Sequence, residues 1–590
     1  MKKTLLLFVV GLAAMVEISA QGSNLPLGNP AYHILDRLEI KTGIPTPYHS
    51  ALKYYTRGAA TRYALIVDTS LVSLSVRDRR DLYYIFKDNN EWLGQARFST
   101  TVAGPKEKPV PGSELTQIEA SYENARYIES RNPFLKYFYR SPANFVEVND
   151  KYFHLRANPI LNFKMGAAKN MEDPVLFNQR GIEMRGGVDD RIYFYMNILE
   201  TQARFPDYVN ARVSRDLAVP GAGLFKDYNS DFFNVSDGYD YLNGQGYMAF
   251  NVTRHVGMQF GYGRNFIGNG YRSLLLSDFA NNYLYLKLNW KVWKIHYQNI
   301  FAELSAETDK QTVGETVIAK KYMAAHHLSY NILPNLNFGI YEAVIFSREN
   351  QFEFQYLNPV IFYRTIEQGL GSPDNVLIGL DAKWNFLNHF QLYAQFMLDE
   401  FLFDELLVER NGWWANKHGF QVGLKYIDVF GIDHLDIQAE YNTARPYTYS
   451  HRDSSGVYNH YNTPLAHPLG ANFREYLVMA RYNPIKNLVL NARLILAEFG
   501  EDADSTNWGG NLLLSNDTRE QDYGNSTTQG ITAQTVLAGI DLSYQIRHNV
   551  FIDLHYFYRN KDSEDDKFDQ NVQYFGGGFR VNIGKQRMDF

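Results

Sequence analysis

Along residues 536–560 the side chains change class at every step. Val536, Ala538, Ile540, Leu542, Tyr544 and Ile546 take the even positions, with Asp541, Ser543 and Gln545 between them. After Arg547-His548-Asn549 the alternation resumes, with Val550, Ile552, Leu554, Tyr556 and Tyr558 set against Asp553, His555 and Arg559. A period of two puts successive side chains on opposite faces of a strand, so the stretch predicts an antiparallel hairpin with one apolar and one polar face. A soluble sheet can alternate in the same way. Each run here, however, lasts about ten residues, the length a tilted strand needs to cross a bilayer, whereas strands of soluble domains usually stop at about five or six.

The pattern recurs upstream. Ile182, Met184 and Val188 turn at Asp189-Asp190-Arg191 into Ile192, Phe194, Met196 and Ile198, and Ile378 to Phe386 passes through Leu387-Asn388-His389 into Phe390 to Leu398. Eight short-turned hairpins can be traced, with single strands left over near 152–167 and 572–586. Together they predict an all-β transmembrane barrel of about 18 antiparallel strands spanning 151–590. Pairing of the first strand with the last would close the sheet and remove edges that lipid cannot satisfy. An even count leaves both termini on one side. That side is periplasmic if the short turns lie there, as in bacterial barrels. The long connections 205–244, 263–281, 347–375, 442–473 and 499–532 then face outward, where binding is usually built. The last run places Phe575, Phe579, Val581 and Ile583 on one face and the chain ends in Phe590, similar to the aromatic terminal strand of outer-membrane barrels.

The chain before the barrel follows another rule. Residues 1–20 carry Lys2 and Lys3, an apolar run from Leu5 to Val16 and Ala20, which read as a cleavable signal peptide. Within 21–150, "AYHILDRLEIKTG", "GAATRYALIVDT" and "LTQIEASYENARYIESR" have helical spacing. They predict a helical domain on the periplasmic side, either plugging the barrel or standing free beneath it and docking a periplasmic partner.

Composition narrows the function classes. Aromatics make up 15% of residues, with 43 Tyr and 39 Phe, and the mean hydropathy of −0.35 is too low for a helical membrane protein. There is no cysteine, which excludes a lipid-anchored Cys, disulfides and thiolate chemistry. A formal net charge of −6 carries no nucleic-acid footprint. "GYGRNFIGNG" and "GGGF" do not sit between a strand and a helix as a phosphate loop would, and no hydrolase motif is present. The expectation is therefore a non-enzyme without cofactor or metal. The acidic stretches 498–511 and 560–571 lack cation-loop spacing and read as solvated surface. The aromatic loops stand out: Trp413 and Trp414 in "NGWWANKHG", and Tyr447, Tyr449, Tyr458, His460 and Tyr461 in the segment 442–475. Exposed rings of this kind stack on sugar faces, although aromatics also form girdles at the membrane interface.

Four segments, "RGIEMRGGVDDRIYFYMNILETQARFP", "GRNFIGNGYRSLLLSDFANNYLYL", "QYLNPVIFYRTIEQGLGSPDNVLIGLDAKW" and "NHYNTPLAHPLGANFREYL", together resemble the capsule-assembly Wzi-like family of Bacteroidota, including relatives connected with gliding motility. The most specific part is "YRSLLLSDFANNY", where Arg272, Ser277 and Asp278 match the family's motif and Phe279 departs from it. The resemblance implies an 18-stranded outer-membrane barrel with an N-terminal helical bundle that binds or assembles capsular or surface polysaccharide. Its ligand contacts would include Arg272, Ser277 and Asp278 from the matched motif and, from the reading of the loops, Trp413, Trp414, Tyr447, Tyr449, His460 and Tyr461, amid outer-membrane lipid and lipopolysaccharide. A structural part of a gliding or secretion apparatus and a diffusion channel are the other functions to weigh.

Overall fold

The computed structural model describes residues 22–93, 130, 133–135 and 137–590, apart from 170, 190, 307–316, 350, 401, 403 and 504. The segment 1–20, read as a signal peptide, and the stretch 115–131, predicted to be helical, fall almost wholly outside the described residues. Eighteen strands form one closed antiparallel barrel. They are β1 Phe153–Ala168, β2 Val175–Val188, β3 Ile192–Arg204, β4 Val235–Asn251, β5 Val256–Gly263, β6 Tyr283–Val292, β7 Ile295–Ser305, β8 Lys320–Leu333 and β9 Leu336–Phe346, followed by β10 Asn375–Phe386, β11 Phe390–Glu400, β12 Lys417–Tyr426, β13 Leu435–Ala444, β14 Phe473–Tyr482, β15 Leu488–Glu501, β16 Ile531–Arg547, β17 Val550–Ser563 and β18 Gln570–Val581. Each pairs with its sequence neighbours, and β18 returns to β1 with Leu161 opposite Val581 and Ala168 opposite Tyr574. Two short strands, Val146–Asn149 on β1 and Lys226–Ser230 on β4, were not expected; they extend the wall at its rims.

The wall is apolar outside and polar inside. Ile540, Ile552 and Leu554 are 51%, 49% and 47% exposed on the outer face, whereas Asp541, Ser543, Asp553 and His555 are buried toward the lumen. A soluble sheet would bury the first set, so the alternation predicted from the sequence has the sense that lipid requires. No helix among the described residues is long and apolar enough to cross a membrane.

Three N-terminal helices, α1 Ala31–Thr42, α2 Arg57–Thr69 and α3 Val76–Asp88, pack around Leu35, Leu38, Tyr63, Leu82 and Ile85. The side chain of Thr56 caps α2, a Ser75–Asp78 capping box opens α3, and Gly43 closes α1 at a left-handed φ of 67°. The bundle is docked into the barrel from the short-turn end by charge. Arg37 pairs with Asp428 at 2.9 Å and with Asp436, Glu39 with Lys383 at 2.6 Å, Asp36 with Lys425 at 2.7 Å, and Glu91 with Arg185 at 2.9 Å. Farther in, His49 Nδ1 meets Ser329 Oγ at 2.7 Å and Ser50 Oγ donates to Asn269 Oδ1 at 2.7 Å. Of the two placements open to the helical segment, it takes the one inside the barrel.

The connection between β9 and β10 departs from an outward-reaching loop. On the ladders, Phe301, Ala324, Val344 and Val376 share the outer face with Leu328 and Leu380, which are each 38% exposed. The first four are buried because Phe352, Tyr356, Tyr363 and Ile366 lie over them, so residues 352–370 fold down onto the outside of the wall. The segment covers a polar row formed by Asn299, His326 and Glu342. His326 Nε2 is 2.9 Å from Glu342, whose carboxylate accepts from the backbone N–H groups of Tyr363 at 2.9 Å and Arg364 at 3.1 Å. These two amides open α4, Tyr363–Leu370, where a carboxylate is favourably placed. Val360 and Phe362, 81% and 62% exposed, point away from the wall.

Two predictions follow from this packing. Arg37→Ala leaves Asp436 with His33 and the Asp428 backbone N–H as its remaining partners, and loss of a buried ion-pair partner costs about 3–5 kcal/mol; urea unfolding of the purified protein should show a destabilisation of that size, with the helical segment newly open to protease while the barrel stays folded. The chain has no cysteine of its own, so Val360→Cys and Phe362→Cys can each carry a single spin label. In bilayers, oxygen should relax both labels more strongly than a water-soluble nickel chelate, and the reverse order would mean that the segment stands off the wall in water.

Candidate functional site

At the long-loop end the barrel is closed by its own loops. Residues 264–282, between β5 and β6, turn inward and bury Ile267, Leu274, Leu275 and Leu276 against Tyr283, Tyr341, Tyr449 and Phe473. Three consecutive leucines can do this because the loop contacts protein on both sides. Arg272, expected at the cell surface, is therefore inside the barrel. Its guanidinium donates to Glu475 at 3.1 Å and to Asp589 at 3.2 Å, and its backbone N–H donates to Glu440 at 3.1 Å. Burial by itself would lower its pKa, but the Glu475 and Asp589 carboxylates outweigh that effect and raise it well above the ordinary value. Ser277 is buried as well, its N–H donating to Leu465 O at 2.8 Å and its hydroxyl to Ala466 O. Asp278 is half-buried at the edge of the luminal cavities.

The aromatic loop residues divide into two sets. Tyr447, Tyr449 and His460 correct the expectation of exposed sugar-stacking faces, because all three are buried. Tyr449 donates to Leu274 O at 2.6 Å and stacks on Tyr458, and Tyr447 donates to Asn507 O at 2.8 Å. His460 accepts from Ser305 N at 2.9 Å through Nδ1, leaving Nε2 to donate to Asn282 O at 3.0 Å. Burial pushes its pKa down to about 3, so it is a neutral structural link. Trp413, Trp414 and Tyr461 are half-exposed. Of these, Trp414 is already covered by Arg519, 4.3 Å from its ring centre, and meets Lys417 at 5.2 Å. Trp413 and Tyr461 are the rings left with the most freedom to meet a ligand.

The chain end was not foreseen. The last strand stops at Val581 with Phe575 and Phe579 facing outward, but Phe590 is not part of an aromatic terminal strand. Residues 582–590 turn back into the lumen, where Asp589 pairs with Arg272 and with Arg493 at 3.3 Å, and the Phe590 ring lies against Tyr208 and Phe279. The charged run "GKQRMDF" was the available sign, since so polar a segment does not continue a lipid-facing strand.

Among the described residues, open space remains in the lumen. A crevice of about 880 Å³ runs from the short-turn end between the helices and the inner wall of β13–β18, and a pocket of about 210 Å³ lies between the tail and residues 264–282. Among the described residues, Asp78, Asp433 and His434 bring possible metal-binding atoms within 4.8 Å of one another. Arg37 and Lys41 already contact Asp78, at 3.3 and 2.6 Å, which makes the group an ion-pair network. In the acidic stretch 498–511, Asp502 accepts backbone N–H bonds from Trp508 and, at 2.8 Å, from Asn511.

No protein-family model and no curated protein matches the chain. Among solved structures it is similar to Wzi, an outer-membrane protein involved in group 1 capsule assembly in Escherichia coli and described as a carbohydrate-binding β-barrel. The identity is 12% and the TM-score 0.51, covering 96% of this chain and 100% of that one. The architecture is that of an outer-membrane barrel. Pseudomonas aeruginosa OprD matches at 9% identity and TM-score 0.38, over 73% of this chain and 96% of its own. Acinetobacter baumannii OccAB2 matches at 9% and 0.39, over 73% and 97%.

Arg272 ties loop, wall and tail together. Arg272→Met should leave Glu475 and Asp589 poorly compensated and cost about 3–5 kcal/mol, read as a lower unfolding midpoint with residues 582–590 newly cleavable by protease.

Proposed function

We propose that this protein is a Wzi-like outer-membrane barrel that binds surface or capsular polysaccharide and helps to hold or assemble it at the cell surface. The observation that carries this reading is a lumen filled from both ends, by the N-terminal helices at one, which leave a crevice along the wall, and by the inward-turned loops and tail at the other. Such a lumen suits retention more than free diffusion, which disfavours the channel reading. Similarity to a carbohydrate-binding barrel along nearly the full chain supports the same view. Binding would act through many weak stacking and hydrogen-bond contacts, without catalysis or cofactor.

In this reading the short-turn end, where β1 begins and β18 ends, faces the periplasm, the last nine residues turning back from it into the lumen, and the apolar wall meets outer-membrane lipid and lipopolysaccharide. On this proposal Trp413, Tyr461 and Asp278, among the predicted residues, would meet a ligand directly, with Trp414 behind Arg519. Arg272, Ser277, Tyr447, Tyr449 and His460 act by holding the loops. A structural role in a gliding or secretion apparatus would instead use residues 21–150 to dock a periplasmic protein, which crosslinking from positions 30–130 would reveal. The deciding experiment is binding of the purified protein in detergent to the producer's own surface polysaccharide, together with capsule retention in a deletion strain. We expect saturable binding, loss of retained capsule and no current in planar bilayers; absence of any glycan binding rejects the proposal.

A further inference from the structure

The larger luminal crevice carries an excess of positive charge. Fifteen Lys and Arg residues and five Asp residues line it, in a chain whose net charge is −6. Some of these cations are matched: Arg580 meets Asp553 at 2.7 Å and Lys425 meets Asp36 at 2.7 Å. Lys87, Arg481, Lys486, Arg547 and Lys164 have no carboxylate within 4 Å among the described residues. Lys87 on α3 and Lys486 on the turn between β14 and β15 are near neighbours at the mouth, and burial together with the Lys486 charge lowers the Lys87 pKa. Farther in, the ammonium of Lys585 is buried without a hydrogen-bond partner, its nearest carboxylate oxygen being that of Asp541 at 3.9 Å.

Holding like charges together with few counter-ions costs free energy, which an entering anion would recover, and a walled cleft of one sign concentrates such anions. The same crevice is lined by aromatic rings, among them Tyr84, Phe551, Phe557 and Tyr574, and the Arg580 guanidinium lies 3.9 Å from the Phe551 ring centre. Cations alone would suit any phosphate. Cations beside apolar ring faces suit a ligand that carries both a carboxylate and the C–H face of a pyranose.

We infer that this crevice binds an acidic oligosaccharide, a chain of carboxylate-bearing sugars taken up from the short-turn end and running inward from Lys87 and Lys486 toward Lys585. The inference rests on the glycan reading above and moves the main contact from the outer loops to the lumen.

The test uses the full chain in detergent and titrates it with trigalacturonate, with maltotriose as the neutral counterpart and with inorganic phosphate. Trigalacturonate should bind, maltotriose and phosphate should bind at least about tenfold more weakly, and affinity should fall as salt is raised. Lys87→Gln combined with Lys486→Gln should weaken trigalacturonate binding by about fivefold or more, with heat-modifiable gel mobility confirming that the barrel is folded. If that variant loses its fold, Lys585→Gln, on the tail beyond the last strand, should weaken binding in the same direction. Equal binding of the acidic and neutral sugars, salt-independent binding, or unchanged affinity in both variants overturns the inference, as does phosphate competing as well as the sugar. The two proposals fail separately: if the producer's polysaccharide binds but its carboxyl-reduced form binds equally well, the luminal acidic site is wrong and the glycan function stands.

Discussion

A backbone amide facing hydrocarbon has no water to turn to, so every one must find its partner within the protein. For sixteen of the strands a neighbour on each side is supplied by the next turn or loop of the chain. For β1 and β18 it is supplied by the longest-range strand pairing in the fold, the ladder joining residues 161–168 to 574–581. The rest of the architecture follows from that closure. It fixes an inside and an outside, and so decides which half of each alternating strand meets lipid and which half meets the lumen.

The inside then faces a problem of its own. A wide barrel presents rows of Asp, Glu, Lys, Arg and Gln to a space that side chains from the wall cannot fill. Here three pieces of chain fill it: the helical bundle, the loop 264–282 and the terminal nonapeptide. Each is held by charge as much as by packing. Arg37 does this for the bundle, and Arg272 joins the other two through Glu475 and Asp589. The bundle is polar where it meets the wall and apolar in its own centre, whereas the leucines of residues 264–282 meet the wall through apolar contacts.

Much of this was legible in the sequence. A period of two kept up over long runs, with short turns between members of a pair, was enough for the strand count and for barrel closure, because lipid imposes that pattern on every strand alike. The helices α1 and α2 were equally clear from their spacing. The fate of the loops was not. Tyr447, Tyr449, Tyr458 and His460 have the composition of exposed recognition loops, and nothing local to them records that Leu274 and Leu275, some 180 residues earlier, fold inward to accept the hydroxyls of Tyr449 and Tyr458. The return of the tail depends on Asp589 meeting Arg272, a pairing between distant positions that periodicity does not carry. Likewise, Glu342 on a lipid-facing face breaks the alternation, and the break is explained only by a segment that lies over it.

That covering segment also breaks the rotational evenness of the barrel. Around most of its perimeter a neighbouring molecule in the membrane would meet bare strands, but over β7–β10 it would meet an added layer of helix and loop. Close side-by-side packing of two barrels is obstructed there, so any ordered array of this protein has to be built through the opposite arc. The β9–β10 connection thus gives a nearly cylindrical object a front and a back.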